Sequence, residues 1–432
     1  MSIARLGIVS LLTLAALALA GCSSPHPALN PRPVIYTVSS PNRIDLCSLI
    51  PESKRSADLE IFYATNRVGS GSKDHREYGN DVDNRLHLGV ATIHIGDANT
   101  TWDDICNASS GKTNGDPQFQ LAGARELDDL PRNTSPPSSQ PTPTAFVQAV
   151  DRQLALSPNH QINVYVHGFK TYFSWEVEVL AKLFHCTGRR GAMVCFGWPS
   201  RQSLYLYGSD VERGQRSATH LADLIEVLAK DTNADKINIL SYSCGASCAS
   251  EALMQLRKRY PNDSREQLAK RLRIGNVIFA ASDIDLKTFA NQDLVRLNDL
   301  ADNVVIYISH NDAALGLASF GFGASRLGRP KSSEISKEQL DKATANTRLQ
   351  VIDVSDVPGP HNIGGFGGHG YWFANDWIMT DLLVVFRWQI PPDSRGLVRH
   401  KSGRWFFPKD YPQKVTEAVH RLVATTAPAA QR

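Results

Sequence analysis

The sequence predicts an α/β protein built on a doubly wound, mainly parallel sheet. Two observations carry that expectation. From Ile162 onward, short apolar strand candidates alternate with helical segments, the pattern of strands buried on both faces by crossover helices. Within that alternation, Ile237 to Ala246 runs from an apolar strand through a small-residue turn into a helix. Such a step presents a side chain at the carboxyl edge of a parallel sheet.

The elements follow in chain order. Leu59–Thr65 and Leu86–Ile95 alternate Val, Ile, Tyr and His as strands do, and are expected to pair. Asp97 to Pro143 is polar and ends in a Pro- and Ser-rich run, so it reads as a long surface excursion rather than a second domain. Ile162–Val166 is the first parallel strand, Trp175–Phe184 a helix and Met193–Phe196 the next strand. Leu221, Leu224, Ile225 and Leu228 share one helix face. Ile237–Leu240 then feeds the turn, and Gly245–Tyr260 is the helix after it. Ile274–Ala280, Val304–Ile308 and Leu349–Val354 are three further strands. After Trp388 an Ile-Pro-Pro break ends the last helix. Arg395, Arg399, His400, Lys401 and Arg404, interleaved with Trp405-Phe406-Phe407, read as a small closing hairpin with a solvated basic face, with contact to an anionic membrane or cell-wall surface as the alternative.

The N-terminus carries one charge, Arg5, before an apolar run from Leu6 to Ala20 that is too short for a confident membrane span and reads as an export signal. Leu19-Ala20-Gly21-Cys22 resembles the lipobox of bacterial lipoproteins; the alternative is an ordinary cleaved signal. That resemblance implies a palmitate-type lipid on Cys22. With Ser23 next, it also implies an outer-membrane anchor, facing the periplasm or the exterior. Ser23 to about Pro51 is Pro- and Ser-rich and reads as a tether, with ordered structure beginning near Leu59. The expected organisation is a signal over 1–21, a tether over 22–55, a catalytic domain over 56–390 and an extension over 391–432.

A formal charge of +3 with both signs mixed gives no field that would attract nucleic acid. No cofactor motif is present, and no cysteine or histidine spacing makes a zinc site. Besides Cys22 there are six cysteines, an even number that suits disulfides in an oxidising compartment. Cys186 and Cys195 bracket a helix-to-strand turn and are the first expected bridge; Cys47 with Cys106 is the second, with no local pattern behind it. Cys244 and Cys248 read as buried small apolar residues.

The candidate chemistry centres on Ser243 in Ser241-Tyr242-Ser243-Cys244-Gly245. A serine on a strained strand-to-helix turn needs small residues two positions to either side, and Ser241 and Gly245 meet that need. The Cys244 N–H, at the helix start, is one expected oxyanion donor; the Phe169 N–H, in Val166-His167-Gly168-Phe169, is the other, with His167 bracing that loop. Asp312 follows a strand end and is the expected acid, with Asp283 and Asp285 in competition for the role. His369, at the end of Gly364-Gly365-Phe366-Gly367-Gly368, is the expected base and His361 the reserve. A phosphate cradle is the rival for those glycines, but no Lys-Ser or Lys-Thr follows them. Leu204–Tyr207 and Leu315–Phe322 could line an acyl pocket, although core packing is the commoner fate of such residues.

The stretches Phe62–Arg67, Val166–Phe169, Gly197–Ser200, the serine turn, Ala281–Asp285, Ser309–Asp312 and Gly368–Tyr371 together resemble a family of bacterial α/β-hydrolases of unknown function, over about Leu59 to Trp388. The resemblance implies an α/β-hydrolase fold and an esterase-like serine hydrolase, with Ser243, Asp312 and His369 at the triad positions. Where that family commonly has His-Ser-Met-Gly, this chain has Tyr-Ser-Cys-Gly, which bears on substrate preference. The expectation is an envelope-anchored hydrolase of small or lipid-like carboxylic esters. A thioesterase or amidase, or a non-catalytic binding lipoprotein on the same scaffold, are the alternatives.

Overall fold

The computed structural model describes residues 26–131, 142–157, 159–331, 334, 345–359 and 366–426. The residues expected to form an export signal, Cys22, His361 and residues 332–333 and 335–344 lie outside the described residues. Eleven strands form one sheet: β1 Asp58–Ser72, β2 His75–Ile95, β3 Phe119–Pro131, β4 Gln161–Val166, β5 Ala192–Gly197, β6 Lys236–Tyr242, β7 Ile274–Ala280, β8 Asn303–Ile308, β9 Leu349–Asp353, β10 Val398–Arg399 and β11 Trp405–Phe406. Their order is β10-β11-β9-β8-β7-β6-β4-β5-β1-β2-β3. From β1 through β5, β4, β6, β7, β8 and β9 to β11 every neighbouring pair is parallel; the antiparallel pairs β1–β2, β2–β3 and β10–β11 lie toward the two edges.

The parallel centre reads as apolar runs because helices cover both of its faces. Along β5, Ala192, Val194 and Phe196 enter one core layer while Met193 and Cys195 enter the other. Among the helices are α1 Trp102–Ser109, α2 Thr144–Leu154, α3 Phe173–Cys186, α4 Tyr207–Asp231, α5 Gly245–Arg259, α6 Ala313–Phe322, α7 Asp376–Trp388 and α8 Tyr411–Thr426. Helices α2, α4 and α5 pack on the first face; α3, α7 and α8 pack on the second. In α4 the expected face of Leu221, Leu224, Ile225 and Leu228 is fully buried.

Four sequence expectations are corrected. Residues 26–55, within the stretch read as a tether, pack onto the second face: Leu29, Ile35, Tyr36 and Ile50 are buried, and the Tyr36 hydroxyl donates to the Cys186 carbonyl at 2.6 Å. Their apolar residues are irregularly spaced among prolines and serines, so no period reveals them. The polar region after Asp97 contains α1, opened by a Thr101/Asp104 capping box, and the thirteen-residue β3. As an edge strand, β3 buries only some of its side chains and carries the composition of a loop.

The third correction concerns the cysteines. Cys47 and Cys106 form a disulfide with Cα atoms 5.9 Å apart, whereas Cys186 and Cys195 are free and buried. Cys186 ends α3 and Cys195 lies three residues into β5, about 10 Å up the sheet from the strand's start. A bridge needs Cα atoms closer than about 7 Å. The fourth concerns the basic run after Trp388. The hairpin β10–β11 is present, but Arg395 is fully buried, its Nε donating to Asp381 at 2.6 Å, so it is an internal brace rather than part of a solvated face.

Candidate active site

Strand β6 hands the chain to α5 through Ser243, whose φ of +54° lies in the left-handed region that a Cβ disfavours. Three backbone hydrogen bonds hold that conformation. The Ser243 N–H donates to the Ala280 carbonyl at 3.1 Å, and the Ser243 carbonyl accepts from Ala246 at 3.0 Å and from Asp283 at 3.3 Å. Close packing dictates the small neighbours. A Cβ at Gly245 would sit 2.1 Å from the His167 carbonyl oxygen, and one at Gly168 would sit 2.9 Å from Tyr242 Cδ1 and 3.0 Å from Ser243 Cβ.

The loop after β9 brings His369 to the same edge. Its Nε2 lies 2.7 Å from Ser243 Oγ and its Nδ1 lies 2.7 Å from Asp312 Oδ2. With all three residues at most 6% exposed, the chain of hydrogen bonds is largely shielded from water. Asp312 is fixed by a second duty: its Oδ1 accepts from the Leu315 N–H at 2.9 Å as the N-cap of α6, leaving Oδ2 for the imidazole. Tyr371, two residues after His369, pins the loop, its hydroxyl accepting from the Ala281 N–H at 2.7 Å and donating to the Tyr307 carbonyl at 2.8 Å. The Tyr242 ring packs against the imidazole with centroids 5.1 Å apart.

The competing carboxylates are engaged elsewhere. Asp283 is paired with Arg326 Nε at 3.2 Å and with the Tyr207 hydroxyl, and burial raises its carboxyl above the ordinary range. Asp285 caps the turn Leu286–Thr288. Neither has a hydrogen bond to His369.

The two expected oxyanion donors are available. Among the described residues the Phe169 N–H has no hydrogen-bond partner and the Cys244 N–H has none beyond its own thiol, although Cys244 is 2% exposed. Buried backbone N–H groups are nearly always paired, so free ones beside a serine hydroxyl are informative. The Cys244 thiol is no rival nucleophile, because burial pushes its pKa well up and keeps it protonated.

The sequence singles out His167 beside the Gly168–Phe169 loop, but not its partners Arg67 and Glu176. His167, Arg67 and Glu176 are all fully buried, with Glu176 Oε2 2.8 Å from His167 Nε2 and 3.1 Å from Arg67 Nη2. The His167 Nδ1 faces the Gly168 carbonyl at 2.7 Å, and its ring stacks on Trp198, whose Nε1–H donates to the His167 carbonyl at 2.8 Å. Glu176→Gln removes the ion-pair partner that the buried Arg67 guanidinium has among the described residues. It should lower unfolding free energy by about 3 kcal/mol, read from the urea midpoint. An unchanged midpoint would show that the cluster contributes nothing to the fold.

Comparison with known proteins gives three findings. The model of a family described as "Alpha/beta hydrolase of unknown function (DUF900)" matches residues 142–385. Among solved structures, an inhibited esterase B from Lactobacillus rhamnosis is similar over 63% of this chain and 83% of its own, at 10% identity and a TM-score of 0.30. A hydrolase from Oleispira antarctica is similar over 54% of this chain and 93% of its own, at 13% identity and a TM-score of 0.25. No curated protein matches the sequence.

Proposed function

The chain belongs to the family of alpha/beta hydrolases of unknown function, and from that premise we propose that it is a serine hydrolase of carboxylic esters. The observation that carries this reading is the pair of 2.7 Å hydrogen bonds linking Ser243 Oγ through His369 to Asp312. Ser243 Oγ attacks the ester carbonyl carbon as its proton passes to His369 Nε2. The oxygen that becomes anionic is received by the N–H groups of Phe169 and Cys244, each worth on the order of 3 kcal/mol of barrier. The tetrahedral adduct collapses, and the departing alcohol takes the proton from His369. Water then attacks the acyl-serine, giving its proton to His369, and the acid leaves as the proton returns to Ser243. Asp312 holds the imidazole in the tautomer whose Nε2 accepts.

The test is turnover of one short acyl group presented as an oxygen ester, a thioester and an anilide. Fastest turnover of the oxygen ester supports the proposal, and preference for either other leaving group moves the enzyme to that class. We also propose a lipid anchor at Cys22, which would hold the enzyme in the outer membrane. The support is the apolar run Leu6–Ala20 after Arg5 and the lipobox-like residues 19–22, together with the packing of residues 26–55 onto the body, so that few residues separate Cys22 from it. Cys22→Ser should move the protein from the membrane to the soluble fraction; retention in the membrane would refute the anchor.

A further inference from the structure

We propose that the carboxyl edge of the sheet, the edge that carries Ser243, is a docking face for an anionic phospholipid surface. The inference goes beyond hydrolysis and does not require Ser243 to react. It begins with two apolar stretches, Leu204–Tyr207 and Leu315–Phe322, that the sequence left between acyl pocket and core. Four of their side chains do neither job: Tyr205 is 98% exposed, Phe320 86%, Leu317 43% and Leu206 38%. With Tyr172 they make up half of the ten exposed large hydrophobic residues among those described, and all five follow the carboxyl ends of β4, β5 and β8.

Helix α6 makes the point most sharply. Its exposed positions Ala313, Leu317, Phe320 and Gly321 fall at i, i+4, i+7 and i+8, one continuous stripe with no polar residue. A helix face turned to water is ordinarily polar. The exposed apolar groups flank the serine on both sides. The start of α6 packs against the loop that delivers His369, where a Cβ on Gly367 would sit 2.9 Å from that of Ala313. On the other side Tyr207, next to Leu206, stacks edge-on with Phe169 at 5.1 Å and bonds to Asp283.

Charge selects the occupant. Among the described residues of the loops and first helical turns that follow β4, β5, β7, β8 and β9, the partly or fully exposed cations are Lys170, Arg201, Lys287, Arg329 and Lys331, against Asp285, Glu334 and Asp356; Arg326 is paired with Asp283. An apolar patch rimmed by excess cations is complementary to anionic headgroups over acyl chains. A second copy meeting this face would oppose like charges. The position of the link agrees. Cys22 lies four residues, at most about 14 Å, before His26. His26 bonds to Glu178 at 3.0 Å, about 8 Å along α3 from its start at this edge. A bilayer holding the proposed lipid therefore lies within reach of the rim.

The test uses the full chain with Cys22→Ser and Ser243→Ala, so that neither a lipid nor turnover intervenes. It should sediment with phosphatidylglycerol vesicles and only weakly with phosphatidylcholine vesicles. Adding Leu317→Ser and Phe320→Ser should lower the partition at least about tenfold, since the affinity comes from buried apolar area and headgroup attraction. The same pair in the chain with Ser243 intact should leave turnover of a water-soluble ester unchanged. Absence of sedimentation, equal partition into the two lipids, or a double variant that partitions like its parent would overturn the proposal. A dimer in gel filtration that the double variant dissolves would assign the face to a second copy, and would also overturn it. Failure of ester hydrolysis with vesicle binding intact would count against the hydrolytic reading alone.

Discussion

Ser243→Ala should lower kcat for a short-chain ester on the order of 10⁶-fold while leaving the unfolding midpoint in place. That loss corresponds to about 8 kcal/mol of barrier. The size follows from the role: without Oγ there is no acyl-enzyme, and His369 Nε2 has no proton to take from a nucleophile 2.7 Å away. The fold should survive because the left-handed backbone at 243 is held by three main-chain hydrogen bonds, none of which uses the hydroxyl. Alanine at φ +54° carries the same Cβ strain as serine, so the substitution adds none. Steady-state kinetics and a denaturant titration on the same preparation check both halves. Turnover within tenfold of wild type would sink the assignment of Ser243 as nucleophile.

Asp312→Asn should cost on the order of 10⁴-fold in kcat, with little change in KM. The reason is specific to this site. The carboxylate divides its oxygens, one to the Leu315 N–H and one to His369 Nδ1. An asparagine has a single oxygen, and the cap of α6 claims it. The amide NH₂ then faces Nδ1 and favours the imidazole tautomer whose Nε2 carries the hydrogen, which cannot accept the serine proton. Asp285→Asn, by contrast, should leave kcat unchanged within error, because that carboxylate caps a separate turn. Equal losses for the two variants would mean that Asp312 acts through the fold rather than through the imidazole.

Much of this architecture can be read from the chain, and particular residues explain why. Strands β4 to β8 are legible because burial on both faces leaves them nearly all apolar, a pattern that depends on no distant contact. The turn at Ser243 is legible because its positive φ and close packing on His167 restrict Gly245 locally. The choice among Asp312, Asp283 and Asp285 is not, since all three follow strand ends and only the fold decides which one meets a histidine 57 residues or more away. Glu176 escapes for the same reason: its partner Arg67 is 109 residues distant, and a glutamate in a largely apolar helix carries no motif. Tyr371 is similar, joining the His369 loop to two strands with a hydroxyl that sequence leaves anonymous. Strand β3 and residues 26–55 escape by composition, polar at an edge in the first and irregular in the second.

The central claim is that the hydroxyl at 243 is activated by the imidazole at 369. The most direct measurement is the intact mass of the protein after exposure to a fluorophosphonate, followed by peptide mapping. The account predicts one adduct per chain, on Ser243, formed far more slowly when His369 is replaced by alanine and absent from Ser243→Ala. A protein that takes up no phosphonate, or takes it up equally in all three forms, would contradict it.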